Sequence, residues 1–359
     1  MKKTLLLGVF SVLSISFGYS QTEKAWKSFD GKEVKIAKTA ERGTFPASYK
    51  LMQLELASLK NTLVTAPNRF GSDVSNVIIS IPNVDGKLER FQMYEASNFD
   101  AELQAMYPEI RSYVGIGLDD KYAQLRLSLD PRGIQTMVFR VGKSNEFMEP
   151  YSQDGKVYAV YASKSDRKGK LPFTCSTDDQ ELISSIESKT NFTSRSSTTS
   201  LLNFRLAMSV TPEYTAYHHT ALNLATPKAS ALSAINTTMT RVNGVFETDF
   251  AIHMNLVNNM TIIYDGSVAD PYGPDDSNYN SELQTTLTSV VGEANYDVGH
   301  LMGNVGNNGN AGCIGCVCVN NQKGSGYTTS TVPVGDAFDI DFVAHELGHQ
   351  FGANHTFSH

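Results

Sequence analysis

The chain has 359 residues, of which 41% are apolar and 19% are charged, and it contains 12 prolines and 27 glycines. This composition excludes a disordered or collagen-like chain, and the length predicts about two domains of roughly 150 residues each. The formal net charge of −7 argues against a general nucleic-acid-binding protein, which is usually basic. Four cysteines are too few for a disulfide scaffold.

The first twenty residues have the pattern of a secretory signal peptide. Lys2 and Lys3 precede an uncharged, mostly apolar stretch over residues 4–18, and a small-residue cleavage pattern follows before Gln21. The stretch is shorter than the about 20 apolar residues that a membrane span needs. We therefore expect residues 1–20 to be removed, and the mature protein to be secreted, extracellular or at the cell surface, with no membrane span.

Residues 75–165 alternate between strand patterns and turn signals. Residues 77–81 form a buried-type apolar run, and residues 125–129 alternate between leucine and polar residues, as in a half-buried strand. Asp-Gly and Asp-Pro pairs separate such runs and indicate turns. The pattern predicts a mostly antiparallel β domain without a cluster of metal ligands or nucleophiles, and we place this first domain at residues 21–190.

A polar linker follows, and the pattern then changes to alternating α and β. Residues 191–200 are mostly Ser, Thr and Asn, which is typical of an exposed linker. Strand patterns at residues 204–210 and 250–256 flank a helical repeat of apolar residues that starts near Pro227. We place a second domain, with a layered α/β arrangement, at residues 201–359. The chain as a whole is therefore predicted to be α+β.

Further elements are predicted in this second domain. Apolar residues at helical spacing predict a helix that ends near Gly292, and residues 298–302 and 313–318 are candidate strands around a Gly- and Asn-rich loop. The adjacent His218 and His219 have no metal-binding partner at a useful spacing. We expect them to lie on the surface.

The C-terminal part of the chain contains the pattern His-Glu-x-x-His-x-x-Gly-x-x-His. His345 and His349 are one helical turn apart, so both imidazoles lie on one face, and Glu346 can reach a water on the same metal ion. Gly352 can end the helix in a left-handed conformation, which lets His355 return as a third ligand. Three protein ligands leave a fourth position for water, as in catalytic zinc sites. The alternative is a surface helix with three unrelated histidines, which the eleven-residue spacing disfavours.

The complete motif resembles that of the metzincins. The flanking segments narrow the resemblance to reprolysin (adamalysin-like) catalytic domains of the secreted bacterial type. The segments that carry this resemblance are residues 204–210, 232–246, 249–254, 297–301 and 335–341. The resemblance covers about residues 200–359, and the preceding β domain resembles a reprolysin-type propeptide by its position.

This resemblance implies a secreted zinc-dependent endopeptidase that is made as a zymogen and acts on protein or peptide substrates. His345, His349 and His355 would bind Zn²⁺. Glu346 would be the general base that takes a proton from a zinc-activated water, which then attacks the peptide carbonyl. The fold implied is an antiparallel β propeptide domain followed by a metzincin-type α/β catalytic domain, with a mixed sheet and an active-site helix.

Two further expectations come from the family. Its substrates lie along an edge strand of the upper sheet, which here would be about residues 312–318. Its zinc site also rests on a methionine turn downstream of the third histidine, whereas the last methionine here is Met302 and the sequence ends at His359. We therefore expect the lower subdomain to be missing from these residues, either because the chain is the front part of a longer protein or because the zinc site of a short protein is poorly formed.

The cysteines leave alternatives open. Cys175 could be a propeptide thiolate that takes the open zinc position, because thiolate is a good zinc ligand; it could equally be a free or disulfide-bonded cysteine. Cys313, Cys316 and Cys318 lack a second ligand pair at zinc-site spacing and favour disulfide chemistry, with their pairing open.

A second class of function is a non-catalytic cell-surface or adhesion protein built on a metzincin-like scaffold. Such scaffolds commonly lose the general base or a ligand, whereas Glu346 and the three histidines are all present here. The sequence therefore favours the enzyme. It does not define the oligomeric state.

Overall fold

The computed structural model describes residues 24–32, 35–169, 172–179 and 200–355. The chain forms two compact units: an N-terminal unit of residues Met1–Ser97 and Glu109–Gly169, and a C-terminal unit of residues Asn98–Pro108 and Lys170–His359. The C-terminal unit thus includes two segments that the sequence patterns assign to the first domain. The predicted signal peptide, most of the predicted linker and His359 lie outside the described residues. Within the described parts of the chain, no helix is both long and apolar enough to span a membrane.

The N-terminal unit is built on a nine-stranded antiparallel sheet with the order β1-β3-β10-β9-β8-β7-β6-β5-β4. Its strands are β1 Trp26–Ser28, β3 Lys50–Leu54, β4 Ile78–Pro82, β5 Leu88–Glu95, β6 Arg111–Gly117, β7 Gln124–Asp130, β8 Gly133–Phe139, β9 Glu146–Pro150 and β10 Val157–Ala162. A separate ribbon pairs β2 Thr44–Pro46 with β11 Arg167–Gly169, and helix α1 spans Leu56–Leu63. The antiparallel β pattern predicted for residues 75–165 is confirmed.

The C-terminal unit contains a mixed six-stranded sheet with the order β12-β16-β17-β15-β13-β14. The strands are β12 Thr174–Cys175, β13 Leu202–Val210, β14 Ile252–Leu256, β15 Val298–Gly303, β16 Asn307–Asn310 and β17 Gly326–Ser330. Neighbouring strands run parallel except β16 and β17, which are antiparallel. The whole chain is therefore α+β, as predicted.

The described part of the C-terminal unit also contains α-helices. They are α2 Ala101–Met106, α3 Pro212–Leu222, α4 Pro227–Phe250, α5 Tyr279–Thr286 and α6 His345–Gln350. Helix α5 continues as a π-helical turn, Leu287–Val291, and a longer π-helical stretch, Ala337–Ala344, leads directly into α6. Short 3₁₀ turns lie at Met260–Ile262, Asp276–Asn278 and Glu293–Asn295.

Helix α4 forms because its capping residues and its buried apolar face both favour a helix over the same part of the chain. Pro227 occupies the first turn, and the side chain of Thr226 accepts a hydrogen bond from the backbone N–H of Ala229 at 3.1 Å. Ala251 ends the helix with a left-handed φ of 55°. The apolar residues that predicted the helix are all buried: Leu232, Ile235, Met239, Val242 and Phe246. Each such side chain contributes about 1.5–3 kcal/mol of hydrophobic free energy.

The strand predicted for residues 313–318 is wrong. The segment forms turns, because Gly312 and Gly315 both adopt a φ of 71° and Cys313 forms a disulfide with Cys316. Residues 312–318 form no strand, so the substrate-binding edge strand expected there is also wrong. The preceding strand, β16, ends at Asn310. Cys175 and Cys318 are outside any disulfide.

The surface position expected for His218 is also wrong. Its side chain is 3% exposed in helix α3, with ring centroids 4.3 Å from Tyr214 and 5.2 Å from Tyr217. Burial lowers its pKa to about 3, so the ring is neutral at pH 7. His219 is half-buried, and its Nδ1 lies 3.1 Å from Oγ of Ser230.

Candidate metal centre

The active-site helix is fixed by apolar packing and by one buried ion pair. Phe338 and Val343 are fully buried in the π-helical stretch that leads into α6. Asp339, between them, pairs with Nη1 of Arg241 in α4 at 2.8 Å and accepts a hydrogen bond from Thr238 Oγ1 at 2.6 Å. The side chains of the ion pair are only 2–3% exposed. These contacts tie the helix that carries the first two histidines to the longest helix of the unit.

The three predicted histidine ligands converge with a cysteine. Nε2 of His349 lies 3.1 Å from Nε2 of His345, 3.1 Å from Nε2 of His355 and 3.7 Å from Sγ of Cys175. All four donor atoms lie within 4.8 Å of one another. With Zn–N of about 2.0–2.1 Å and Zn–S of about 2.3 Å, tetrahedral geometry separates two nitrogens by about 3.3 Å and nitrogen from sulfur by about 3.6 Å. The three distances from His349 are close to these values, and imidazole and thiol are donor types that zinc binds.

Hydrogen bonds at the far side of two rings orient them for metal binding. Nδ1 of His349 lies 2.7 Å from the carbonyl oxygen of Ala353, and Nδ1 of His355 lies 2.8 Å from Oδ2 of Asp179. Donation from Nδ1 leaves Nε2 unprotonated and directed at the other donor atoms. Gly352, with a φ of 105°, reverses the chain between these histidines as expected.

Burial keeps His345 and His349 neutral. It lowers the pKa of His345 to about 4, with the neighbouring His349 and His355 adding to the shift, and it also lowers the pKa of His349. Burial and the charge of Glu346 raise the pKa of the Cys175 thiol to about 11. Neutral imidazoles are the form that binds metal, and a metal ion removes the proton from a coordinating thiol.

Glu346 lies beside the donor atoms and is fully buried. Its Oε2 accepts a hydrogen bond from Thr177 Oγ1 at 3.0 Å, whereas Oε1 has no hydrogen-bond partner among the described residues. Burial raises its pKa to about 7, a shift that the side chains of Cys175 and Thr177 oppose. A β carbon at Gly309 would lie 2.5 Å from Oε1, so only glycine leaves room for this carboxyl group. A buried, unpartnered carboxyl oxygen is suited to hold a water molecule.

The structure adds to the site an upstream segment, which we define as residues 172–179. Within it, β12 pairs in parallel with β16 and places Cys175 opposite Gly309. The backbone N–H and the side-chain hydroxyl of Ser176 both donate to the Gly309 carbonyl, at 2.9 and 3.0 Å. The segment therefore occupies the edge of the six-stranded sheet next to the histidine cluster.

Three further residues of the upstream segment contact the site, and sequence reasoning missed all of them. The ring of Phe173 stacks on Phe342 with centroids 4.0 Å apart, Thr177 binds Glu346, and Asp179 binds His355. Cys175 alone carried a signal in the sequence, through its thiol. The other contacts join residues 169 or more positions apart and follow no local pattern.

The chain matches a known protein family over the region that contains these residues. The model of the reprolysin-like metallopeptidase family M12B matches residues 175–359, which is more than half of the chain and includes all four donor residues. The search of curated proteins found no match to the chain. Members of the family are zinc-dependent metallopeptidases, hydrolases that act on proteins or peptides. The chain belongs to the reprolysin-like M12B metallopeptidase family.

Proposed function

We propose that the protein is a secreted zinc endopeptidase that is made as a zymogen, in which the upstream segment closes the active site. The observation that carries this proposal is the convergence of three histidine nitrogens and the sulfur of Cys175 on one point, with the buried Glu346 beside them. Three histidines with an exchangeable fourth ligand are typical of a catalytic zinc site.

The roles of the residues follow from their positions. His345, His349 and His355 would hold the metal ion. When bound, zinc acts as a Lewis acid on the peptide carbonyl and lowers the pKa of a coordinated water to about 7. Glu346 takes the proton from the attacking water and delivers it to the leaving amine, and we assign this transfer to Oε1.

The upstream segment would keep the protein inactive, because it occupies the positions of the fourth ligand and of the substrate. The thiol of Cys175 lies where the fourth ligand belongs, and Thr177 holds the second oxygen of the general base. Strand β12 also takes the main-chain hydrogen bonds of β16, which an extended substrate peptide would use. Water and substrate can enter only after residues 172–179 have left.

The test compares the wild-type protein with Glu346→Gln and Cys175→Ala variants, each expressed at full length with zinc. Zinc content is measured by mass spectrometry, and cleavage of an unfolded protein substrate is measured before and after limited proteolysis. We expect one zinc ion per chain in all three proteins. Cleavage is expected from wild type only after processing and from Glu346→Gln in neither state. Unprocessed Cys175→Ala should show partial cleavage, because loss of the thiol lets residues 172–179 leave the site more often.

Two outcomes would contradict the proposal. Equal cleavage by Glu346→Gln and the wild type would remove the role of Glu346. A processed wild type that binds zinc and cleaves nothing would favour the non-catalytic binding protein.

A further inference from the structure

We infer that residues 98–108, which we name the docking segment, keep the N-terminal region bound to the C-terminal unit after the chain is cut between them. The docking segment lies in sequence between β5 and β6, two neighbouring strands of the N-terminal sheet, yet it belongs to the compact C-terminal unit. Peptide bonds join it at both ends to the N-terminal unit. A cut in the predicted linker at residues 191–200 therefore separates the two fragments covalently but leaves these contacts in place.

Main-chain contacts attach the docking segment to the edge of the six-stranded sheet. Phe99 forms a parallel β-bridge with Leu256 of β14. The backbone N–H of Asp100 donates to the Leu256 carbonyl at 3.1 Å, and the Leu256 N–H donates to the Asn98 carbonyl at 2.7 Å. Phe99 and Leu256 are both buried. The docking segment thus covers the outer edge of β14.

A buried amide adds a specific contact with helix α4. Asn98 is 2% exposed, and its Nδ2 donates to the carbonyl and Oδ1 of Asn236 and to Thr240 Oγ1, at 2.9–3.2 Å. Its Oδ1 accepts a hydrogen bond from Nδ2 of Asn243 at 3.0 Å. Withdrawal of Asn98 would break these buried hydrogen bonds, which opposes dissociation.

The following turn strengthens the attachment. Oδ1 of Asp100 caps helix α2 by accepting from the Leu103 N–H at 2.8 Å, and Oδ2 accepts from the Asn258 N–H at 2.7 Å. Oε2 of Glu102 accepts from Nδ2 of Asn258 at 3.2 Å. One carboxylate therefore orders the helix and binds the loop after β14 at the same time.

Docking and active-site closure use opposite edges of one sheet. Strand β14, under the docking segment, is last in the strand order, and β12, which carries Cys175, is first. The upstream segment can therefore leave β16 while residues 98–108 stay on β14. This inference rests on the proposed function only for the expectation that the chain is cut. The contacts of the docking segment involve neither zinc nor the catalytic residues.

The test uses the full chain with a recognition site for a sequence-specific protease inserted within residues 191–200 and an affinity tag on the mature N-terminus. Glu346→Gln prevents self-cleavage, and Cys175→Ala with a chelator removes any hold through metal and thiolate. After complete cutting, the mixture is separated by gel filtration under native conditions at micromolar concentration. We expect the two fragments to elute together, and an Asn98→Ala variant to lower their association at least tenfold relative to Asn203→Ala, an exposed asparagine on β13.

Hydrogen exchange gives a readout that does not depend on the variants. If the docking segment stays in place, the amides of residues 252–256 remain as protected after cutting as before. Quantitative separation of the fragments, or loss of this protection on cutting, would overturn the inference. Because Glu346→Gln and the chelator remove catalysis and zinc from the assay, failure here is distinct from failure of the proposed peptidase activity.

Discussion

Oδ2 of Asp179 lies 2.8 Å from Nδ1 of His355, and both side chains are only 10% exposed. A carboxylate on the far nitrogen of a ligating histidine fixes the ring and raises its basicity. The upstream segment therefore supplies Cys175, one of the four donors that could hold a metal ion, and also orients a second donor, His355. The closed form should consequently bind zinc more tightly than the form that has lost residues 172–179.

Asp179→Asn should weaken zinc binding by the uncut protein about 10–100-fold, the usual effect of losing a carboxylate behind a ligating histidine. The measurement is competition for zinc with a chelator of known affinity. Asp178→Asn, at the neighbouring exposed position, is the matched control and should bind zinc like the wild type. Equal affinities for the two variants would show that the Asp179 contact does not support the ligand.

Gly309→Ala should reduce the turnover of the processed enzyme about 100-fold while its zinc content stays unchanged. A β carbon there would lie 2.5 Å from Oε1 of Glu346 and 2.6 Å from Cζ of Phe173, so the carboxyl group must move when the site is assembled. Displacement of a catalytic group by about 1 Å has an effect of this size. Steady-state kinetics checks it, with Gly348→Ala as control because that β carbon would meet only Cβ of Ala353, at 3.9 Å. An unchanged kcat would mean that the carboxyl group does not need this space.

Asp339→Ala should lower the free energy of unfolding by about 3–5 kcal/mol, because it leaves the Arg241 guanidinium buried without its carboxylate. Urea unfolding followed by circular dichroism gives the value. The exposed ion pair between Arg205 and Asp297 serves for comparison, since its arginine side chain is 50% exposed. Arg205→Ala should lower the free energy by about 1 kcal/mol or less. Similar losses in the two variants would contradict a structural role for the buried pair.

The stability of the C-terminal unit should decrease below pH 6.5. Burial lowers the pKa of His218 to about 3 and that of His300 to about 4, so only the unfolded chain takes up these protons as the pH falls from 6.5. Each histidine then removes about 1.4 kcal/mol of stability per pH unit, or about 2 kcal/mol between pH 6.5 and 5.

His218→Phe tests this pH dependence, because it removes one of the buried histidines that cause it. Its unfolding free energy, measured in urea at pH 7, 6 and 5, should fall less steeply than that of the wild type. Thr220→Ala, at a nearby exposed position without a titratable side chain, should keep the wild-type slope. If all three proteins show the same slope, His218 does not carry the effect.

The parts of the fold that local patterns encode were predictable. Helix α4 shows its buried face as a regular apolar repeat, and the motif places His345, Glu346 and His349 within one helical turn. The strand expected at residues 313–318 failed because alternation alone does not reveal that Gly315 adopts a positive φ.

Contacts between distant parts of the chain were not predictable from one sequence. Thr177 meets Glu346 across 169 positions, and Asp179 meets His355 across 176. The docking segment is short and lies between strands of the β domain in sequence, whereas its contacts with β14 and helix α4 place it in the C-terminal unit.

Strand β16 consists of three asparagines and Gly309, and β12 covers it in the closed form. Once residues 172–179 leave, β16 becomes an open sheet edge, and open edges are templates for aggregation between copies of a protein. Asparagine and glycine are among the residues least favoured in strands, and the strand is only four residues long. One extended peptide can still pair with such an edge, but it is a poor nucleus for joining two sheets. In the proposed open form, this composition disfavours self-association at the exposed edge of β16.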